Sequence, residues 1–549
     1  MTMNAISPGV YRKITDLSLY VEAVPSTIGF IALLAEKGRD NTLMFASSEK
    51  AIRQECGNPN IDQWGQGMYN AVNFLRNSAG MYYIRVLPFD VPVGKNDANF
   101  ANIFLKFEDA SGFTGNVLIE KIDQINSTAE VNTKLIEASQ YRFCAFYGRG
   151  RGQYYNNISI NLTASATVSK GYVLDVYAKD SDGDDVLQES FLVSFYTGQQ
   201  LNGRSIFVED IVNEFSQIIS AKVNSQWIRE IDAVPVAWNA AQPFDTIKPL
   251  EYGTEGDFLN ADGTVNWTDP DVGAYRLLAD AYSGLIDASV INTDLIYFTV
   301  VFDGDYNVDV RTAIVNLCQT LRGDCVGILD NGIHGTVASA VADRQSVNNF
   351  NSYFVALYEN HTRVYDPFTG RDIWVSPSYW MSSVIPYNDT VADPWWAPAG
   401  FNRAALNGVK EAALYPNKVD RDDMYIVQLN PIARLKPGYV IWGQQTTWSK
   451  PSALRDLNIV RLVLYIDAAL KNFALYYVFD QNDAFTWNDF QVKVHSFLTN
   501  IKNRRGLRSF SVSVFATEYE RQTNTFHADI YLHATSTVEK IFLNYFVTK

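Results

Sequence analysis

Long hydrophobic runs are missing from this chain. None of its 549 residues forms the roughly 18-residue apolar stretch that a membrane span requires, and the longest clean run covers only residues 28–35. The opening MTMNAISPGVYRK has no apolar signal core, which argues against secretion through a cleaved leader. Cysteine is scarce: Cys56, Cys144, Cys318 and Cys325 contain no C-x-x-C pair, so buried reduced thiols are expected in place of a disulfide frame or zinc knuckle. Five histidines leave few general bases, and neither His-Glu-x-x-His nor Gly-x-Ser-x-Gly occurs. The Gly94-Lys95 pair is followed by Asn96 and has no phosphate-loop glycine upstream. Gly148, Gly150 and Gly152 follow a predicted strand but run into Tyr154-Tyr155-Asn156-Asn157, which does not open a helix. We therefore expect no enzyme, no catalytic residue, no cofactor and no metal. Excess cation is lacking too: a formal charge of −15 makes nucleic acid an unsuitable partner for the surface as a whole.

What is present is an ordinary globular composition, 47% hydrophobic and 19% charged, with a 13% aromatic share that favours β-structure or broad interfaces. Length alone allows three or four domains. Residues 1–22 read as an extended arm, because Pro8-Gly9 blocks an early helix and Val10, Leu17, Leu19 and Val21 stand among polar neighbours. Residues 23–92 read as α/β, with a buried strand at 28–35, helices near 48–54 and 66–77, and a strand at 82–87. That texture returns in 234–385, so 93–233, with strands expected at 143–147, 158–162, 172–177 and 186–195, reads as an inserted β-rich domain. Residues 366–400 hold five prolines and four tryptophans and predict irregular crossover chain. The run Asp180, Asp182, Asp184, Asp185 admits either a calcium loop or a solvated hairpin tip; an EF-hand would need Gly at Asp185 and Glu at Phe191. His527 and His533 could share a metal on one strand face or stand as separate surface histidines.

Residues 386–549 form the last predicted domain. From Leu457 through Leu470, apolar residues at i+3 and i+4 steps predict one long helix. A second follows, with Thr486 and Asp489 in capping-box positions and Gly506 as its stop. Phe510, Val512 and Val514, then Phe526, Ala528, Ile530 and Leu532, alternate as two strands. The terminal EKIFLNYFV is apolar on both faces: Ile541, Leu543, Tyr545 and Val547 face one way, Phe542 and Phe546 the other. Such a strand has to join a sheet, its own or a neighbour's, since a bare edge of this kind aggregates. Lys493, Lys502, Arg504, Arg505 and Arg508 form a cationic cluster with no acid between 490 and 515. It reads either as a solvated helix end complementing the helix dipole or as a basic surface for an acidic partner.

Several segments in a shared order resemble the tail sheath proteins of contractile-tailed bacteriophages. They are Ser7-Pro8-Gly9-Val10-Tyr11, the 27–38 and 80–86 segments, Ala397-Pro398-Ala399-Gly400, Trp442-Gly443-Gln444-Gln445-Thr446, and 458–479 with Asn482-Asp483 and Trp487. The resemblance implies a mixed α/β, multidomain subunit: an inner core at 386–549 with a C-terminal arm at 535–549, an outer α/β domain at 23–92 and 234–385, and the insert. It further implies a virion protein, assembled in the host bacterial cytoplasm, that stacks as six-fold rings around a tail tube and contracts. Its partners would be further copies, the tube, and baseplate and tail-terminator proteins, with no nucleic acid and no insertion into a membrane. Leu17, Leu19, Tyr20, Val21, Ile541, Phe542, Leu543, Tyr545, Phe546 and Val547 would be exchanged between subunits, and Lys493, Lys502, Arg504 and Arg505 would face the tube. An R-type pyocin or similar injection sheath shares this pattern. A receptor- or glycan-binding virion protein is the alternative that the aromatics and the insert also suit.

Overall fold

The computed structural model describes residues 27–107, 117–137, 140–168, 170–180, 182–225 and 247–540. The expected exchange strands, with Leu17 to Val21 at one end and Ile541 to Val547 at the other, lie outside those residues. The described chain is mixed α/β and falls into two compact units, one lying within residues 27–393 with 398–457, the other of 394–397 with 458–540.

The larger unit is built on a nine-stranded sheet. Its order is Ala405–Leu406, Gly438–Ile441, Leu429–Leu435, Val355–Glu359, Val326–Asp330, Val300–Phe302, Gly29–Leu33, Met81–Arg85 and Met44–Ala46. The strands from Leu429–Leu435 to Met81–Arg85 run parallel, and the outer ones are antiparallel. Parallel strands covered on both faces should be apolar throughout, and Gly29–Leu33 and Val326–Asp330 are buried at every position. Residues 398–457, which the sequence grouped with the C-terminal region, supply three of these strands.

Helix Glu49–Cys56 begins where Ser48 accepts the Ala51 N–H. Gly67–Leu75 is buried on all sides, and its Asn70 and Asn73 bond Ser378 and the Tyr379 carbonyl. Those partners correct one expectation. Residues 366–400 are not irregular throughout: Arg371–Val375 is a strand and Pro377–Val391 a 15-residue helix. Pro377 sits in the first turn, where its missing N–H costs nothing. Pro386 lies inside the helix, and the burial of Met381, Val384 and Ile385 beside it offsets its cost of about 3 kcal/mol.

The inserted region is built around two four-stranded sheets sharing one core, with Ile103, Phe143 and Phe146 from one and Ile160, Leu174 and Val176 from the other. Its pairing extends past residue 233, since Lys248–Pro249 adds to the Ile158–Ala164 strand. The acidic run is the tip joining Tyr172–Lys179 to Asp185–Val193, where Asp180 bonds the Asp182 and Asp184 N–H groups. The glycine-rich segment packs the insert against the large sheet. Arg85, fully buried, donates to the carbonyls of Ala35, Gly38 and Arg151 at 2.9–3.1 Å. Arg151 in turn pairs with Asp40. A Cβ at Gly150 would lie 2.0 Å from the Gly38 oxygen, so only glycine permits this approach.

Candidate assembly surface

The smaller unit is two long helices and a hairpin. Helix Leu457–Ala474 places Leu462, Ile466 and Phe473 in a core completed from helix Ala484–Asn503 by Phe490, Val494, Leu498 and Ile501. The helices run antiparallel: Phe473 stacks on Phe490 at 5.5 Å and Tyr465 on Phe497 at 6.3 Å. The second helix starts earlier than Thr486. Its cap is Asp483, whose carboxylate accepts the Phe485 and Thr486 N–H groups, both at 3.0 Å. Asp489 closes no capping box; it binds Tyr477 and Lys493, each at 2.6 Å.

The helix ends at Arg504, and Arg505, with φ 67°, makes the left-handed turn expected of Gly506. Gly506 is needed for a different reason. A Cβ there would meet Ile501 at 2.6 Å and the Trp395 indole at 3.1 Å.

Strands Leu507–Phe515 and His527–Ala534 pair antiparallel, with the expected alternation. Phe510, Val512, Val514, Ile530 and Leu532 pack on the helices but remain partly exposed. The hairpin's ties run to the second helix: Phe490 to Phe526 at 5.6 Å, His495 to Phe510 at 4.9 Å, and Gln491 Nε2 to the Val512 carbonyl at 3.1 Å. On the first helix Val463, Leu464 and Leu470 stay half-exposed. Two helices abreast span about 20 Å, whereas two strands at about 4.8 Å spacing cover half of that. The layer has the width for four strands, and two are present among the described residues.

The four cationic residues do not all lie together. Lys493 sits mid-helix, matched by Asp489. Lys502, Arg504 and Arg505 gather at the helix end, exposed, where the Arg504 guanidinium lies 5.2 Å from the Trp395 ring and that of Arg505 lies 5.1 Å from Trp396. Trp395 Nε1 donates to the Arg504 carbonyl at 3.2 Å, fixing the indole beneath that turn. His527 binds Glu520 at 2.8 Å, and no group of three His, Cys, Asp or Glu among the described residues is arranged to hold a metal. All four cysteines are buried and free. No described helix is long and apolar enough to cross a membrane.

A second cluster, unseen in the sequence, lies at the carboxyl ends of the parallel strands, where α/β sheets commonly bind ligands. Here most of the side chains pair with one another, although the buried Nδ1 of His361 has no hydrogen-bond partner among the described residues. Arg311 pairs with Asp303 at 2.9 Å, and His361 with Asp305 at 3.0 Å. His334 bridges Glu359 and Asp343, each at 2.9 Å. Asp330 accepts from the Ser376 hydroxyl at 2.6 Å and the Ser378 N–H at 2.7 Å. Burial, with Asp303 and Asp305 nearby, pushes the Asp330 carboxyl up to about 8. The hydrogen bond to Glu359, with help from Asp343, raises His334 to about 9. These residues come from four separate segments, so no local motif announced them.

Residues 449–548 match the model of the phage tail sheath C-terminal domain. The chain is 26% identical to the tail sheath protein of Vibrio phage KVP40 over 376 residues, 66% of this chain and 54% of that one. It is also 26% identical to the tail sheath protein of Enterobacteria phage T4 over 408 residues, 70% of this chain and 58% of its relative. It thus spans a little over half the length of these curated relatives. The crystal structure of a sheath tail protein from Listeria innocua superposes with a TM-score of 0.55, covering 94% of this chain and 93% of that one at 11% identity, a likeness of fold.

Proposed function

We propose that this chain, kin to the tail sheath proteins of contractile bacteriophages, is a non-enzymatic sheath subunit of the virion. Copies stack as six-fold rings around a tail tube, are linked by exchanged terminal strands, and contract to drive the tube through the host envelope. The observation that carries this reading is the two-helix layer with half its width in strands. The amino-terminal arm, around Leu17 to Val21, and the carboxy-terminal segment, Ile541 to Val547, supply two more strands of suitable pattern by β-augmentation. In a closed monomer both would be tied at home; in a polymer each is given to a neighbour. About six apolar side chains at roughly 1.5–3 kcal/mol each provide on the order of 10 kcal/mol gross, enough to fasten subunits.

Within this reading the two-helix unit, residues 394–397 with 458 onward, forms the inner core, the α/β unit on the nine-stranded sheet, which includes 398–457, forms the outer domain, and the β-rich insert projects from it. The exposed end at Lys502, Arg504 and Arg505, with Lys493 further along the helix, meets an acidic tube. The energy of contraction is stored at assembly, so rigid-body rearrangement of subunits needs no nucleotide. Assembly takes place in the host cytoplasm, with baseplate and tail-terminator proteins at the two ends. A phage-derived injection particle would use the same subunit in the same way.

The test is removal of residues 538–549 from the full chain. The truncated protein should stay folded and monomeric by sedimentation while the intact protein forms cylinders under electron microscopy. Full-length cylinders from the truncated protein would end the strand-exchange reading.

A further inference from the structure

The connection between the two long helices exposes an unusual set of side chains. Leu475, Tyr476, Val478 and Phe479 lie on it and Phe485 opens the helix that follows; all five are exposed, Phe479 fully and Phe485 by 86%. Phe479 also holds φ 78°, a left-handed conformation that a bulky residue rarely keeps without a purpose. Two exposed carboxylates, Asp480 and Asp483, stand among these side chains. This end of the unit is therefore aromatic with an acidic rim.

The other end has the opposite character. Lys502, Arg504, Arg505 and Arg508 are exposed there, and two of the guanidiniums lie over Trp395 and Trp396. Helix Ala484–Asn503 joins the two ends as one rigid rod, and 20 residues at about 1.5 Å each separate them by about 30 Å. Surfaces that far apart on one body cannot meet within a copy. They can meet between copies, and a contact between two different patches of identical molecules repeats without limit unless a ring closes it.

We propose that the aromatic tip of one copy, Tyr476, Phe479 and Phe485, docks on the Trp395–Trp396–Arg504–Arg505 end of a second copy. Trp395 is 5% exposed and backs Arg504 from below, so the phenyl rings of the tip meet the half-buried Trp396 and the exposed flat faces of the two guanidiniums. Asp480 and Asp483 then oppose Arg505 and Lys502, which fixes the register. The proposal rests on the polymer reading and deepens it by naming a contact independent of the exchanged strands. Because the same basic end is proposed to meet the tube, each subunit's end holds either a tube surface or a neighbour's tip, not both at once.

The test uses the full chain polymerised without tubes. Replacing Phe479→Ser and Phe485→Ser together should leave the melting curve unchanged, since both side chains are exposed, yet raise the concentration needed for sedimentable polymer by about tenfold or more. Asp480→Lys and Arg505→Glu should each raise it severalfold, and the two combined should return it to within about twofold of the parent. Polymer at the parental concentration in the phenylalanine variant, or no recovery in the charge exchange, overturns the docking. Loss of tube binding by the phenylalanine variant with tube-free polymer untouched assigns the tip to the tube and overturns it equally. A parent chain that forms no polymer at all overturns the polymer reading instead.

Discussion

His334 makes the large α/β unit sensitive to alkali in a way that can be calculated. Its side chain is 7% exposed and its two nitrogens contact Glu359 and Asp343 at 2.9 Å. The Glu359 hydrogen bond is the leading cause that lifts it from 6.5 to about 9. A histidine whose folded value is raised contributes stability that is complete below about 6.5 and is lost as pH climbs through 9. At about 1.4 kcal/mol per pH unit the gap amounts to about 3 kcal/mol, and solvent screening at half-exposed Asp343 lowers it to about 2 kcal/mol. His334→Gln keeps the approximate size and cannot titrate. Urea unfolding of the parent should show the α/β transition losing about 2 kcal/mol more than the variant between pH 6 and pH 9.5. Asp330, raised to about 8, also lowers stability as pH rises, over the window from 3.8 to 8, but it does so in both proteins and cancels in the difference. Identical pH slopes for parent and variant would refute the bridge as a source of stability.

Two more perturbations probe the unit that carries the proposed contacts. Asp483→Ala removes the acceptor of two N–H groups and should cost about 1 kcal/mol in that unit's unfolding, while Thr486→Ala, inside the helix, should cost at most a few tenths of that. Equal effects would return the cap to Thr486. Gly506→Ala places a methyl 2.6 Å from Ile501 and 3.1 Å from the Trp395 indole and should cost about 1–3 kcal/mol by overpacking, with a shift in tryptophan emission as Trp395 moves from beneath Arg504. A variant with parental stability and emission would show that the turn yields without strain.

The elements read correctly from the chain are those whose signal is local and repeated. The alternation from Phe510 to Val514 and from Ala528 to Leu532 has one solution, a hairpin with one face on a core. The apolar steps from Leu457 to Leu470 likewise allow only a helix. Where two local signals compete, sequence has no means to rank them. Asp483 and Thr486 are both good caps three residues apart, and the choice falls to Asp483, with Trp487 buried and its Nε1 held by Asn482 at 2.8 Å. Pro386 reads as a helix breaker because its local cost is visible and the burial that offsets it is not.

The charged cluster at the strand ends illustrates the remaining gap. Asp303, Asp330 and Glu359 are unremarkable in order, since each follows or closes an apolar run as polar residues usually do, and His334 sits in the loop beyond one of them. Parallel pairing brings the ends of those runs to one side of the sheet, in the register that sets Val300 beside Val326 and Gly327 beside Val355. Only that register turns separate strand ends into a single ion-pair network. The network then has a physical consequence for the proposed function. Breaking one partner of a buried pair such as Arg311–Asp303 strands the other at a cost of about 3–5 kcal/mol, which ties these strand ends together. A subunit that works by the rigid-body rearrangement proposed above needs such a tie in its bulk, and the fold places it at the carboxyl ends of the parallel strands.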